Sequence, residues 1–432
     1  MNVRLYATVK AAVVAVAIFS ALLAPSSSSA SDDRHVTCDA PTHYGCGRQI
    51  GVKQRARVRA AVSSPHARAL VAWAGTSRGN ATMSKYLAMH ARELPDLLDE
   101  VRGTADGAGV AFYPDLFALN LDIEISSKFL SGAAAHAAAA PFSKGCSDVH
   151  LIVPESKVQG WGHNEDGELS DLNDFYFVTA NIAGFRYFAM AYAGRLAGWT
   201  YGWNSHGVVH SVNALYTLKE TPLGLGTNFM AREMLRASSV ADAVQRAKRG
   251  GQDGGSHFNI GSIHATCGSR DPCQVSIETS WEGSTVLNLG HEPLQSSYYS
   301  HFNAYLHTDK PAAGDYTSSI YRLARATTMA SRPAAAGTTV ANTTALLLPQ
   351  VLDMLGDNFT YPYCLHRCNT KEDPYITITT SLIDLAERRI RVYTTQTSAA
   401  RVDEAWLDVS LDGGFDFEVP PFPGALSASS KP

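Results

Sequence analysis

The sequence predicts an α+β fold, and three observations predict it: a helix-patterned stretch before residue 130, a strand-rich middle, and a helical pair followed by closing strands. Segregated runs of this kind pack helices onto sheets, unlike the regular alternation of βαβ units.

The elements follow in chain order. Arg4 and Lys10 precede an apolar run from Ala11 to Ala24, and a serine run ends in Ser28-Ser29-Ala30. That order reads as a secretory signal peptide over residues 1–30, too short in its apolar part to span a bilayer comfortably. Ser31 to Gln54 is polar and glycine-containing, stapled by its cysteine pair. From Val58 to about Leu130 the pattern is helical, with Leu87, Met89, Leu94, Leu97, Leu98 and Val101 near a 3.6-residue period. The alanine-rich Ser131 to Pro141 reads as a slack connection.

Past Cys146 the texture becomes β. Val149 to Pro154, Phe175 to Ala180, Phe185 to Ala191 and Gly207 to Asn213 are strand candidates separated by glycine turns. Met230 to Arg249 reads as one helix, with Ala231, Met234, Leu235, Val240, Ala243, Val244 and Ala247 largely on one face. Val275 to Thr279 and Thr285 to Leu289 are further strands. Ser318 to Met329 and Val340 to Met354 read as helices, and Thr377 to Leu382 with Arg389 to Thr394 as a closing strand pair. The tail from Gly413 is rich in Gly, Pro and Ser and is expected to be loosely held.

Composition narrows the function classes. With 45% hydrophobic and 18% charged residues, the chain can bury a large core. A net charge of −4 without a basic block argues against a nucleic-acid partner. No later segment has the length of a stable membrane span. Six of the seven cysteines form close pairs: Cys38 with Cys46, Cys267 with Cys273, and Cys364 with Cys368. In an oxidising compartment such neighbours close small loops, although sequence does not fix the connectivity. Cys364-Leu365-His366-Arg367-Cys368 lacks the second pair of ligands a structural zinc needs, so no metal is expected. Asn80-Ala81-Thr82, Asn342-Thr343-Thr344 and Asn358-Phe359-Thr360 are glycosylation acceptors, in keeping with secretion or delivery to a lysosome-like compartment.

That pairing leaves Cys146 alone, in Lys144-Gly145-Cys146-Ser147-Asp148. An unpaired cysteine in a secreted chain is an intermolecular link, an inert buried thiol or a reactive group. Here glycine precedes it, and glycine gives the backbone the freedom a thiol needs to reach its own preceding carbonyl. Attack there yields a thioester, and hydrolysis then leaves Cys146 with a free α-amine of pKa about 8 beside its own thiol. On its own a Gly-Cys dipeptide fits a turn equally well. After a strand and a glycine turn, however, comes Gly162-His163-Asn164-Glu165-Asp166-Gly167, which returns beside the thiol on the neighbouring strand.

These two motifs resemble the isopenicillin-N acyltransferase and β-alanyl-dopamine hydrolase family of cysteine N-terminal-nucleophile hydrolases. The likeness extends to Val101 through Val110, Ala118-Leu119-Asn120 to Glu124, Gly202 through Gly207 with Ser211 through Leu215, and His301-Phe302-Asn303-Ala304-Tyr305-Leu306. It continues through Ser318-Ser319, Arg322 and Arg325 to Arg391, covering about residues 58 to 395. Ala304 and Glu165 depart from the family pattern. The resemblance implies a four-layer αββα sandwich and division at Gly145–Cys146 into a pro-segment, 31–145, and a catalytic part, 146–432. It implies Cys146 as nucleophile and, through its α-amine, base, with Asp166 supporting that amine. Asn303 is the choice for the oxyanion hole. His163, Asn164 and His257 are candidates to bind substrate. Asn204 and Asn213 are weaker candidates, and Arg322 reads as structural. The substrate expected is a small-molecule amide, with no cofactor, and the two self-cleaved fragments are expected to remain partners. Alternatives are acyl transfer to an amine, a cysteine assisted by His150, His163 or His257 without cleavage, and an inactive binding protein of the same fold.

Overall fold

The computed structural model describes residues 34–130, 145–153, 158–216, 221–265, 273–289, 298–308, 316–331, 348–412 and 414–423. The expected signal peptide, the slack connection and Cys267 lie outside the described residues. Two sheets form. The first has eight strands in the order β1 (His35–Ala40), β4 (Phe175–Ile182), β5 (Phe185–Tyr192), β6 (Tyr201–Asn204), β7 (Val208–Leu215), β8 (Gly255–Ser262), β9 (Gln274–Ser280) and β10 (Gly283–Leu289). The second has six, in the order β11 (Tyr298–His301), β2 (Cys146–Val153), β3 (Val158–Gly167), β12 (Ile376–Asp384), β13 (Arg389–Tyr393) and β14 (Leu407–Ser410).

Side-chain alternation builds three cores from these sheets. Tyr176, Val178, Ala180, Ala189 and Ala191 face helices α1 (His43–Lys53), α2 (Arg55–Val62), α3 (Pro65–Ala74), α4 (Ser77–Glu93), α5 (Pro95–Ala108) and α6 (Asp122–Phe129). Phe175, Phe177, Phe188 and Met190 point the other way and meet Ile378, Ile390 and Val392 of the second sheet. Val149, Leu151 and Leu382, on the outer face of that sheet, pack against Ala326, Leu352 and Leu355 of α9 (Thr317–Ala330) and α10 (Gln350–Leu355). The result is the expected αββα sandwich. Each fully buried large apolar side chain contributes about 1.5–3 kcal/mol.

Four expectations need correction. Ser31 to Gln54 is not merely a stapled polar segment: β1 pairs in parallel with β4, and the Cys38–Cys46 disulfide joins it to α1. Glycine makes α1 a poor helix by propensity, yet a Cβ on Gly47 or Gly51 would fall 2.1 or 2.2 Å from the Glu100 or Thr104 carbonyl oxygen of α5. Close helix packing therefore overrides propensity. Second, Met230 to Arg249 is two helices, α7 (Thr227–Met234) and α8 (Val240–Ala247). Ser239 caps α8 by accepting from Asp242 N–H, and Asn204 Nδ2 donates to the Leu235 and Ala237 carbonyls in the break. Third, the tail does not run free to Pro423, because Phe415 and Phe422 are buried in the inter-sheet core and Arg34 lies over the Phe422 ring at 4.4 Å. Fourth, Cys364 and Cys368 are free thiols with sulfurs 3.5 Å apart. Cys273 is disulfide-bonded. Among the described residues no helix is long and apolar enough to cross a membrane.

Candidate active site

β2 and β3 run antiparallel with Cys146 opposite Glu165, Ser147 opposite Asn164 and Asp148 opposite His163. This register sorts the site residues onto two faces. Cys146, Asp148, His163 and Glu165 look toward the eight-stranded sheet, while Ser147, Asn164 and Asp166 look toward the α9–α10 side.

On the inner face the Cys146 thiol donates to Glu165 Oε2 at 3.5 Å. His163 bridges two carboxylates, donating from Nε2 to Glu165 at 3.3 Å and from Nδ1 to Asp148 at 3.0 Å. Asp148 also accepts from Ser211 Oγ and Asn213 Nδ2 of β7, each at 2.6 Å. The Tyr192 hydroxyl donates to Glu165 Oε1 at 2.6 Å. Burial disfavours a charged imidazole, but Asp148 and Glu165 outweigh it and lift His163 to about 10. Burial also pushes the Cys146 thiol well above its ordinary value, and the Glu165, Asp166 and Asp148 carboxylates push it further. The sulfur is therefore protonated at neutral pH and needs a base in contact.

The Gly145–Cys146 peptide is gripped at every polar atom. Its carbonyl, Gly145 O, accepts from Asp166 N–H at 3.1 Å. Its amide, Cys146 N–H, donates to Asn303 Oδ1 at 3.0 Å. Arg322 donates from Nη1 to Cys146 O at 2.7 Å and from Nη2 to Asn303 Oδ1 at 2.9 Å. Glycine at 145 is required by space: a Cβ there would lie 2.7 Å from Arg367 Nη1, 2.8 Å from Asn303 Oδ1 and 2.9 Å from Arg322 Nη2. Asp166 Oδ1 accepts from Thr377 Oγ1 at 2.7 Å. Its Oδ2 is buried without a hydrogen-bond partner among the described residues, 4.0 Å from Arg322 and Arg367. Burial raises Asp166 to about 7 against the pull of those two guanidinium groups.

Several expected roles change. Asn303 stands at the site, but its side-chain N–H goes to Ala214 O at 3.1 Å and its oxygen to the Cys146 amide. With the Gly145–Cys146 bond intact, Asn303 thus holds the nitrogen of that bond. His163, Asn164 and His257 are completely buried and do not line the cavity beside the thiol. Asn164 Nδ2 ties β3 to the Leu355 and Leu365 carbonyls at 2.9 and 3.0 Å. His257 bonds Asn213 and Ser276 at 2.6 and 2.7 Å and stacks on His301, and burial above all holds it well below its ordinary value. His150 is bound to Gln274 and Asn259. Glu165 thus stands between the thiol and the nearest imidazole. Arg322, read as structural, touches Cys146 directly. Sequence reasoning gave no role to Glu165, Asp148 or Arg367. Asp148 was recoverable from the two-residue strand period, whereas nothing in the Cys364–Cys368 segment marks Arg367, which Asp373 orients through bonds of 2.9 and 2.6 Å.

A cavity of about 540 Å³ opens beside Cys146. One wall comes from Ala60, Ala61, Ser64, Pro65, His66, Asp122 and Ile123, ahead of the Gly145–Cys146 bond; the other includes Tyr192, Trp199, Ala214 and Tyr216. Trp199 lines it, while Trp161, Tyr201 and Trp203 belong to the core. Six carboxylates border it, Asp122, Glu165, Asp166, Glu168, Asp171 and Asp174, against Arg195 and His66. Arg195 pairs with Asp122 at 2.6 Å. Cys146, His163 and Glu165 also bring donor atoms within 4.8 Å of one another. Both ring nitrogens of His163 already lie against carboxylates, which favour the doubly protonated ring, a form without a lone pair for a metal.

Residues 154–399, more than half of the chain, match the family described as acyl-coenzyme A:6-aminopenicillanic acid acyl-transferase. The chain is 28% identical over 379 residues to the beta-alanyl-dopamine/carcinine hydrolase of Drosophila melanogaster, covering 82% of this chain and 90% of that protein. Among solved structures it is similar to a conjugated bile acid hydrolase mutant from Clostridium perfringens, at 12% identity and a TM-score of 0.34 over 62% of this chain and 93% of that one. A penicillin V acylase from Agrobacterium tumefaciens matches at 11% identity and a TM-score of 0.36 over 59% of this chain and 84% of that one.

Proposed function

The chain belongs to the acyl-coenzyme A:6-aminopenicillanic acid acyl-transferase family, and from that premise we propose that it is a cysteine amidohydrolase that creates its own N-terminal nucleophile. As a member it is an enzyme of N-terminal-nucleophile type acting on amide bonds. The observation that carries the finer reading is the Gly145–Cys146 peptide itself: carbonyl on Asp166 N–H, nitrogen on Asn303 Oδ1, thiol on the same residue. Attack of that sulfur closes a five-membered ring, and the amide becomes a thioester that water opens. The α-amine so freed lies on Asn303 Oδ1, with Asp166 and Arg322 beside it. It then takes the thiol proton in each turnover, while the sulfur attacks the substrate carbonyl, the amine leaves, and water releases the acid.

The acidic cavity with Trp199, Tyr192 and Tyr216 supports a substrate with a cationic acyl end and an aromatic amine end. A β-alanyl amide, as in the name of the Drosophila relative, has that character. Residues 60–123 supply a cavity wall and β1 a strand, which supports two fragments that stay together after cleavage. The order of residues 1–30 and the Cys38–Cys46 disulfide support export or delivery to a lysosome-like compartment.

Intact mass and N-terminal sequencing of the wild type beside Cys146→Ala test the reading. Two co-eluting fragments, the larger beginning at Cys146 and absent from the variant, are expected. A single uncut chain with full amidase activity would sink it, and an uncut, inactive chain would point to a binding protein. Cleaved enzyme is then offered β-alanyl and N-acetyl amides of one aromatic amine, with water or a second amine as acceptor; preference for the β-alanyl compound and release of free acid are expected. The family description names the second reading, acyl transfer, and a new amide formed in preference to acid would favour it.

A further inference from the structure

Before cleavage the α-amine does not exist, because the nitrogen of Cys146 is an amide without basicity. Whatever takes the thiol proton in the first round must be another group, already in place. Asp166 is poorly suited: it shares the outer face of β3 with Asn164, its Oδ1 is bonded to Thr377, and its N–H is occupied by the very carbonyl to be attacked. His150 and His257 are bound elsewhere, and both ring nitrogens of His163 are engaged, Nδ1 by Asp148 and Nε2 by Glu165.

We propose that Glu165 is the catalytic base of self-cleavage, a role separate from that of the α-amine in turnover; the proposal rests on the reading of Gly145–Cys146 as the cleaved bond. Three contacts assign it. Its Oε2 accepts from the Cys146 thiol at 3.5 Å. The same oxygen accepts from His163 at 3.3 Å, and Oε1 from Tyr192 at 2.6 Å, so the carboxylate is aimed at the sulfur by two donors. Asp148, braced by Ser211 and Asn213, fixes His163 in turn. The strand register alone puts Glu165 directly opposite Cys146, so the base is built into the hairpin.

The step balances as follows. Glu165 takes the S–H proton while a sulfur lone pair forms the S–C bond to the Gly145 carbonyl carbon. The carbonyl π pair moves to oxygen, which the Asp166 N–H holds. That pair returns, the C–N bond breaks, and the nitrogen leaves with the proton carried by Glu165, giving a thioester and the free α-amine. Water adds to the thioester carbon, the C–S bond breaks, and sulfur recovers a proton, leaving Gly145 as a carboxylic acid. One water is consumed overall.

The test is maturation of newly refolded full chain, followed by mass against time from pH 6 to 9. The titratable groups that face Glu165 are Cys146 on β2, His163 on β3, Tyr192 on β5 and Tyr201 on β6, with Asp148 behind His163 and Asp166 acting from the other face of β3. Glu165→Gln keeps the shape and removes the base. Maturation is expected to slow by about 100-fold or more. Its rate should then climb about tenfold per pH unit, because hydroxide must replace the carboxylate. Glu165→Asp, which keeps a carboxylate on the same strand, is expected to mature faster than Glu165→Gln and without that slope. If Glu165→Gln matures at the wild-type rate and pH profile, the assignment is overturned while the cleavage site stands. If Glu165→Asp is as slow as Glu165→Gln with the same slope, the residue acts through packing and the assignment again fails; the aspartate variant also decides the matter should the glutamine variant not fold. Wild type that stays as uncut as Cys146→Ala would overturn the cleavage reading itself.

Discussion

Gly145 and Asp166 show how little room the site leaves a single residue. Two buried guanidinium groups and the Asn303 oxygen occupy the space where any Cβ at 145 would lie. Gly145→Ala is therefore expected to displace the peptide carbonyl from Asp166 N–H and slow maturation by about tenfold or more, since loss of near-attack geometry costs rate steeply; the uncut fraction on a mass spectrum after a fixed time checks it. Asp166 carries a pH signature. Its folded pKa, raised to about 7 chiefly by burial, exceeds its unfolded value, so the folded chain binds more protons between those values. The stability it contributes is thus fully present below the unfolded pKa and is lost as pH rises through about 7. In the uncut Cys146→Ala background, adding Asp166→Asn should remove that loss, so the double variant gains on the single one between about pH 4 and pH 8. Urea midpoints at the two pH values measure the gain, and equal differences at both would contradict the assignment.

At the scale of elements, the α1–α5 pair and the β2–β3 hairpin are built by opposite logic. The helix pair depends on what is missing: Gly47 and Gly51 face α5 carbonyls, while Gly103 and Gly107 face the Tyr44 and Arg48 carbonyls in return. Gly47→Ala would improve helix propensity by about 1 kcal/mol but force apart a contact of 2.1 Å. Overpacking is expected to win, for a net loss of about 1–3 kcal/mol, read as a lowered Tm. The hairpin depends on register, since a slip of one residue would send Cys146 to the outer face. Its period of two was legible in Cys146, Asp148, His163 and Glu165; the partners it meets across the sandwich, Tyr192, Ser211 and Asn213, were not.

Among the described residues, an acidic cavity lies between the first helical segment and the β2–β3 hairpin. If that charge selects cationic amides, raising salt from about 0.05 to 0.5 M should raise KM several-fold for a β-alanyl amide and leave an N-acetyl amide of the same amine nearly unchanged. Equal effects on the two would show that the carboxylates do not read the substrate. By itself the sequence determined the segregated α+β order, the closing strands, a thiol directly behind a glycine and the return of the Asp166 motif, because each is written in local period or short spacing. It led astray where distant partners decide. Ser31 to Gln54 carries no clear helical pattern and owes α1 to its packing on α5, the Pro- and Gly-rich tail looks loose until Phe422 meets the inter-sheet core, and His163, Asn164 and His257, candidates to bind substrate, lie buried away from the cavity. Only tertiary structure could turn Asn303 toward the Cys146 nitrogen, bring Arg367 against Gly145 and set Glu165 on the thiol. Those roles are fixed by which donors and charges a buried group meets, and that is a property of packing across the chain, to which local pattern is blind.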